Sequence, residues 1–377
     1  MRCIGTGLAG ILMLTAAGQV SAQSSATLYG VADTFIQYLG NGALHSLSLR
    51  SGGNTGSNLG LKGSEDLGNG LKAVFTLESG FNMNNGGFFV DSSTLFYRQS
   101  WVGLSDGKYG SLTFGRQYQP TFWAVYPADP FRGDEVLSPL SAAATTADRH
   151  TLATQSAAGR SSNSVVYQSP VVGGFKFYAM YGLSTTVTQP VPQTVGNILD
   201  LALMYSGYGF YAGLAYQNQH GGSESLPGLP VLPGQPAGLN LLGTERFTGA
   251  LAYRIGIVNL QFNYTYNRSS DAPAGSMAVV LGAAHSYSIA ELGATIQASA
   301  ADTIEIACFE RNVRGVHDNT RGVQVGADHL LSKRTTIYAR AGYMKNNGAA
   351  TMSWPGATAS GPNASQTRFA VGMTHRF

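Results

Sequence analysis

The last twelve residues, Gln366 to Phe377, sort one by one between two faces: Phe369, Val371, Met373, His375 and Phe377 on one, Arg368, Ala370, Gly372, Thr374 and Arg376 on the other. Side chains of a strand point alternately to its two sides, so this segment has one oily and one wet face and ends on an aromatic. A strand lying in lipid also needs both edges hydrogen-bonded, and only a closed barrel provides that. Most of the chain repeats the same alternation, which limits its possible folds more than any other feature.

Composition agrees. Charged residues make up 11% of 377, against roughly 25% in ordinary soluble domains, yet mean hydropathy is only −0.01. Beyond the N-terminus no stretch approaches the roughly 20 apolar residues of a spanning helix. Low charge without long apolar runs fits strands that are apolar at every second position. The 49 glycines, 19 tyrosines and 17 phenylalanines fit as well, since aromatic girdles band the two interfaces of such barrels and glycines relieve crowding in bent strands. A formal charge of +3 is too small to imply nucleic acid.

Met1–Ala22 reads as a secretory signal, with Arg2 as its positive start, Ile4–Ala17 as its apolar core and Val20-Ser21-Ala22 as a small-residue cleavage site. A transmembrane helix fits less well, because the stretch is short and holds Gly5, Thr6, Gly7 and Gly10. A single barrel domain then occupies residues 23–377, with no second domain. Cys3 leaves with the signal, so Cys308 is alone and no internal disulfide forms. It shares a face with Ile304 and Ile306 and reads as a small apolar residue turned to lipid. Loss of Arg2 lowers the charge from +3 to +2, so selectivity must come from where charges sit.

Amphipathic runs fall at 27–39, 57–66, 71–81, 95–104, 111–118, 163–168, 175–183, 198–205, 210–219, 244–254, 257–267, 285–298, 303–312, 320–331, 335–345 and 366–377. That is sixteen, the even number that one-way stitching through a membrane requires. The 257–267 run is the cleanest: Val258, Leu260, Phe262, Tyr264 and Tyr266 alternate with Asn259, Gln261, Asn263, Thr265 and Asn267. Short Gly/Asn turns at 66–70, 105–110, 207–209 and 332–334 mark one end. Long connections at 82–94, 119–162, 184–196, 220–243, 269–284 and 346–365 mark the other. The longest, Gln119–Ser162, opens on Phe122, Trp123, Tyr126, Pro127, Pro130 and Phe131. That aromatic content favours packing against something, and the inner wall of the barrel is available.

In these motifs the chain resembles the trimeric general-diffusion porins of Gram-negative outer membranes, particularly their betaproteobacterial branch. The matching stretches are Thr27–Asp33, Asn58–Leu71, Arg98–Leu104, Gly110–Gln117, Asn163–Tyr167 and the terminal Phe377, in order along the mature chain. The resemblance implies an all-β fold, a 16-stranded antiparallel transmembrane β-barrel whose long third external loop, about 119–162, folds into the lumen as an eyelet. It implies a water-filled channel for passive diffusion of small hydrophilic solutes and ions. It also implies a homotrimer set in outer-membrane lipid and lipopolysaccharide, and barrel-assembly machinery that reads the C-terminal strand ending at Phe377.

In that family wall arginines face loop carboxylates across the constriction. Arg98 and Arg160 match the wall positions, while Asp129, Asp134 and Glu135 fall where the loop acids lie, although the family's acidic tip is not reproduced residue for residue. Asn58 stands where relatives often carry an arginine, which argues against strong anion selectivity. Arg368 and Arg376, with Arg246, Arg254 and Arg340, share the polar faces of their strands and keep parts of the lumen positive, so the expectation is a weak preference for anions. Arg116, on the face of Leu112 and Phe114, matches a residue that reaches a neighbouring subunit.

Chemistry beyond transport finds little support. The seven histidines lie in separate strands or loops, without a His-x-x-x-His pair or a Cys/His grouping for zinc, so no metal or cofactor is expected. Gly52-Gly53-Asn54-Thr55-Gly56 lacks the Lys-Ser/Thr ending of a phosphate loop and reads as ordinary loop. The alternatives are an outer-membrane protease or phospholipase, an adhesin or phage target, and a substrate-specific channel using Trp123, Tyr126 and Phe131.

Overall fold

The computed structural model describes residues 25–89, 94–134, 136–139, 159–183, 196–220, 222–224, 239–241, 243–270, 286–355, 357 and 361–377. The signal read at 1–22 lies outside them. Seventeen strands join one antiparallel sheet. They are β1 (Ser25–Asn41), β2 (Leu44–Ser51), β3 (Asn58–Gly68), β4 (Leu71–Gly80), β5 (Gln99–Asp106), β6 (Gly110–Tyr118), β7 (Arg160–Gln168), β8 (Phe175–Gly182), β9 (Ile198–Gly207) and β10 (Phe210–Gln219), followed after a short ribbon by β13 (Gly243–Ile255), β14 (Val258–Ser270), β15 (Ser286–Gln297), β16 (Asp302–Val313), β17 (Thr320–Leu330), β18 (Thr335–Asn346) and β19 (Ser365–Arg376). The ribbon pairs β11 (Gly222–Glu224) with β12 (Leu239–Leu241). Among the described residues no helix is long and apolar enough to cross a membrane.

Closure follows from the alternation at the two ends of the chain. The first and last strands pair from Val31 opposite Arg376 to Asn41 opposite Gln366, and Gly30 and Phe377 exchange backbone hydrogen bonds of 3.1 Å. No edge is left to face lipid. The other side of β1 carries β2 along its C-terminal half and β3 along its N-terminal half. These two strands are one stave in two pieces, so the ring has sixteen staves, one for each run expected from the sequence. Its polar face is buried and its apolar face exposed: in β14, Gln261, Asn263 and Asn267 are buried, whereas Leu260, Phe262 and Tyr264 are exposed.

The second stave departs from expectation. The sequence reading began it at residue 57 and missed β2, where Leu47 and Leu49 face out opposite Tyr38 and Ile36. Between its halves, residues 52–57 leave the ladder and gather on the carboxylate of Asp33. That group accepts the amides of Gly53 at 2.8 Å and of Asn54 and Thr55 at 3.1 Å, with the hydroxyls of Tyr338 at 2.7 Å and Thr374 at 2.5 Å. Five donors on one buried carboxylate satisfy a turn that the ladder cannot. The glycine-rich stretch is a loop, as expected, but one set inside a stave.

Candidate functional site

The connection from β6 to β7 begins with a short helix, α1 (Pro120–Val125), and a 3-10 turn at Tyr126–Ala128. Proline suits a first helical position, where no intrahelical N–H bond is lost. The free N–H of Thr121 is taken up by the wall instead: it and the Thr121 hydroxyl donate to Asp200 of β9 at 3.1 and 2.7 Å. Gln217 of β10 donates to the other Asp200 oxygen at 2.7 Å and to Gln119 at 3.2 Å, and it accepts from Arg246 of β13. Further along, Tyr211 donates to the Ala124 carbonyl at 2.7 Å, Gln261 to that of Pro127 at 3.0 Å and Asn263 to that of Ala128 at 3.2 Å. Carbonyls of Val136 and Leu137 then accept from Arg368 of β19, at 2.7 Å, and from Gln324 of β17. One segment, 119–138, is thereby bonded to the buried polar faces of strands from β9 round to β19. Glycines make room for it: a Cβ on Gly213, Gly293 or Gly342 would lie 2.5–2.6 Å from Ala124, Pro130 or Leu137 respectively.

The segment's own acids hold its shape. Asp129 accepts the amides of Phe131 at 2.8 Å and Gly133 at 2.7 Å, with the Ser138 hydroxyl at 2.8 Å. Burial pushes its carboxyl up to about 6, and those three donors oppose the shift. Asp134 accepts the amides of Val136, Leu137 and Ser138 with one oxygen and meets Arg340 of β18 with the other at 3.1 Å. Burial raises this carboxyl too, opposed first by the Arg340 guanidinium. Arg340 also meets Asp328 at 2.8 Å and Glu305 at 3.7 Å. Glu305, Gly326 and Arg340 stand in register on β16, β17 and β18. The pair reaches across because Gly326 is bare: a Cβ there would come 2.7 Å from Glu305 and 3.0 Å from Arg340.

A second charged group forms at β5–β7. Arg98 is bound to Glu78 at 2.5 Å and donates to the Tyr118 hydroxyl at 3.2 Å. Arg160 donates to the same hydroxyl at 2.5 Å, with its guanidinium 4.2 Å from the Tyr118 ring centre. Counted round the ring, β5 is the fourth stave and β7 the sixth, while β15 and β17 are the twelfth and fourteenth. Arg98 and Arg160 therefore stand eight staves, half the circumference, from Glu291 of β15 and Asp328 of β17.

These arrangements belong to a recognised kind of barrel. The family model described as Gram-negative porin matches residues 8–349. The chain belongs to the Gram-negative porin family. Outer membrane porin protein 32 of Delftia acidovorans is 29% identical over 385 residues, covering 98% of this chain and 99% of the relative. An outer membrane porin protein of Bordetella pertussis is 29% identical over 407 residues, with the same coverage. Among solved structures, an anion-selective porin from Comamonas acidovorans superposes with a TM-score of 0.75 at 25% identity, covering 94% of this chain and 100% of that one. OmpT of Vibrio cholerae, at 12% identity and a TM-score of 0.62, shares the fold. The barrel accordingly sits in the outer membrane of a Gram-negative cell.

In this porin the residues singled out from sequence divide into groups. Arg98 and Arg160 come together at Tyr118, and Asp129 and Asp134 share the turn 129–138; Glu135 lies outside the described residues. Arg368 is buried and serves carbonyls of two segments, Val136 and Pro355. Asn58 is buried at the start of β3 and donates to the Gly56 carbonyl at 2.9 Å, closing the inward turn. Arg376 stands apart at the exposed end of β19, 3.3 Å from the Thr55 hydroxyl. Arg116 lies over the Tyr97 ring at 4.8 Å, donates to the Tyr97 carbonyl and reaches the Ser162 hydroxyl at 2.9 Å. The Phe377 ring rests on Gly30, where a Cβ would collide with it.

The sequence reading missed two features of the interior. Glu78, Asp200, Glu291, Glu305 and Asp328 were not singled out, although each sits at a polar-face position of its strand. In the connection at 346–365, read only as a long loop, residues 346–355 reach the interior: Met352 and Trp354 are buried with Phe131, Val136, Leu137 and Phe309 in one apolar cluster. Trp354 meets Phe309 edge to face at 5.7 Å between ring centres, and Arg50 and Arg368 both donate to the Pro355 carbonyl at 2.9 Å.

Proposed function

We propose that this porin is a passive, water-filled channel for small hydrophilic solutes and ions, narrowed to an eyelet by the 119–162 loop and weakly selective for anions. The observation that supports it best is the split of charge across the ring. Arg98 and Arg160 stand with Glu78 on one side. Asp129, Asp134, Glu291, Glu305 and Asp328 gather with Arg132, Arg311 and Arg340 on the other. Fixed charges in a narrow ring act far more strongly on an ion than the same charges in open water. The split supports the narrowing and its field; the weak preference for anions draws on the anion selectivity named for the Comamonas relative.

Three further roles go with this reading. Tyr97, Arg116 and Ser162 form a surface for the neighbouring subunit of a homotrimer. Lipid and lipopolysaccharide surround the outer face. The assembly machinery engages β19 through Phe377. Among the described residues, Ser299, Asp302 and His329 lie together in the manner of a catalytic group. There the serine hydroxyl bonds to the acid and not to the imidazole, which meets Asp302 at 2.7 Å, so the order that activates a nucleophile is missing.

Purified protein added to a planar bilayer tests the channel: stepwise conductance is expected, and a folded protein that never conducts refutes it. A salt gradient then reads selectivity, expected to favour anions weakly and to fade as salt screens the fixed charges. Clear cation preference at low salt would overturn that part.

A further inference from the structure

A recess on the inner wall, about 170 Å³ and open on one side, lies where α1 faces β5–β8. Four aromatic rings line it: Trp101 of β5, Tyr118 at the end of β6, Trp123 of α1 and Tyr178 of β8. They are held in place. Tyr118 meets Trp123 at 5.2 Å and Phe122 at 4.7 Å between ring centres, Trp101 donates to Gln99 at 3.0 Å, and the Lys176 ammonium covers the Tyr178 ring at 4.6 Å. The remaining lining is neutral and polar. Thr113 and Gln117 bond to each other at 2.6 Å, whereas the Gln99 amide N–H₂ and the Gln168 side chain border the recess with hydrogen-bonding capacity left over.

We infer that this recess is a binding subsite for a neutral, hydroxylated six-membered ring, a monosaccharide, on the path through the channel. The inference rests on the channel reading and adds a substrate class to it. The lining has no charged side chain, which disfavours an ion. Its flat apolar ring faces suit the C–H faces of a pyranose, and its amides suit hydroxyls that both donate and accept. The volume is below the roughly 300–1,000 Å³ of sites that enclose drug-sized molecules, so one ring fits and a chain does not. Three cations lie close by, each with a contact of its own: Arg98 with Glu78, Arg160 with the Tyr118 hydroxyl and Lys176 with the Tyr178 ring.

The test uses the full barrel in planar bilayers with D-glucose and D-sorbitol, which raise viscosity alike while only glucose offers a closed ring. Glucose is expected to lower the ion current saturably in the millimolar range, and sorbitol only linearly. Trp101→Leu and Gln168→Leu are each expected to move half-saturation to about tenfold higher glucose, the worth of one lost contact. A linear effect identical for the two solutes overturns the inference, as does saturation by benzoate in place of glucose. A second measurement needs no conduction. In a Trp354→Phe background the remaining tryptophans, Trp101 and Trp123, both border the recess, so their emission should shift saturably with glucose and not with sorbitol. A barrel that never conducts would remove the channel reading, while this titration would still decide the subsite: a saturable shift supports it and an unchanged spectrum overturns it.

Discussion

Replacing Asp134 with asparagine keeps the outline of the side chain and removes its charge, which tests whether one ion pair holds the 119–138 segment to the wall. The carboxylate accepts three amides, from Val136 at 3.1 Å, Leu137 at 2.6 Å and Ser138 at 2.9 Å, and meets Arg340 at 3.1 Å with both side chains almost wholly buried. Removing one partner of a buried pair costs about 3–5 kcal/mol. Arg340 keeps Asp328 at 2.8 Å and Glu305 at 3.7 Å, so the lower end, about 3 kcal/mol, applies. Each factor of ten corresponds to about 1.4 kcal/mol, and the open population of the segment should rise on the order of 100-fold. Hydrogen exchange read by mass spectrometry on the lipid-reconstituted barrel measures that population, with β14 and β19 peptides as internal controls. Exchange at Val136, Leu137 and Ser138 should quicken by about that factor while the strand peptides hold. Unchanged exchange at those amides, or an equal increase everywhere, would refute the reasoning.

Burial holds Asp129 at about 6, above its ordinary 3.8, so the folded state binds the extra proton between those values. Docking of the segment should therefore strengthen as pH falls through about 6 and gain nothing more below about 4. Over the same interval the interior loses negative charge, so anion preference should rise on acidification; reversal potentials measure this, and Asp129→Asn should make the change smaller. Gly30→Val sets a side chain against the Phe377 ring and 2.7 Å from the Asn58 carbonyl. It should cut the yield of heat-modifiable folded barrel on gels, and Phe377→Ala should not restore it, because the carbonyl remains. Arg160→Gln should weaken anion preference. Arg98→Gln should shift it further towards cations, since Glu78 then loses its partner at 2.5 Å.

Much of the barrel was legible because period-two alternation is a local property: each of the sixteen runs became a stave, and the terminal strand closed on the first. What the sequence hid lies where that alternation breaks. Phe35, Leu39, Phe309 and Met344 occupy the polar face of their strands, and read alone they look like lapses in the pattern. In the barrel they are the floor on which Leu137, Met352 and Trp354 pack. Asp33 was equally silent, since its five donors come from residues up to 341 positions away. Interior acids such as Glu291 and Glu305 carried a usable signal, a charge on the wet face in mid-strand. Charged pairs on polar faces say nothing of their partners until register is known, and the contact of Glu305 with Arg340 also needs Gly326 to leave room between β16 and β18.

The arrangement of charge explains why selectivity should be weak even though the interior is highly charged. Arg98 is matched by Glu78, and Arg340 by more acids than it can neutralise, so each side of the ring is close to compensated within itself. Among these groups a small positive excess is left on the third to sixth staves and a small negative excess on the twelfth to fifteenth, across the ring. On the reading proposed above, two opposed excesses would make a field across the pore and little net potential along it. Such a field turns a dipolar solute as it passes and moves cations and anions to opposite walls, while barring neither. Where net potential is near zero, altering one charge changes it by a large fraction. That is why Arg160→Gln and the protonation of Asp129, each a single unit of charge, should move a reversal potential measurably in opposite directions.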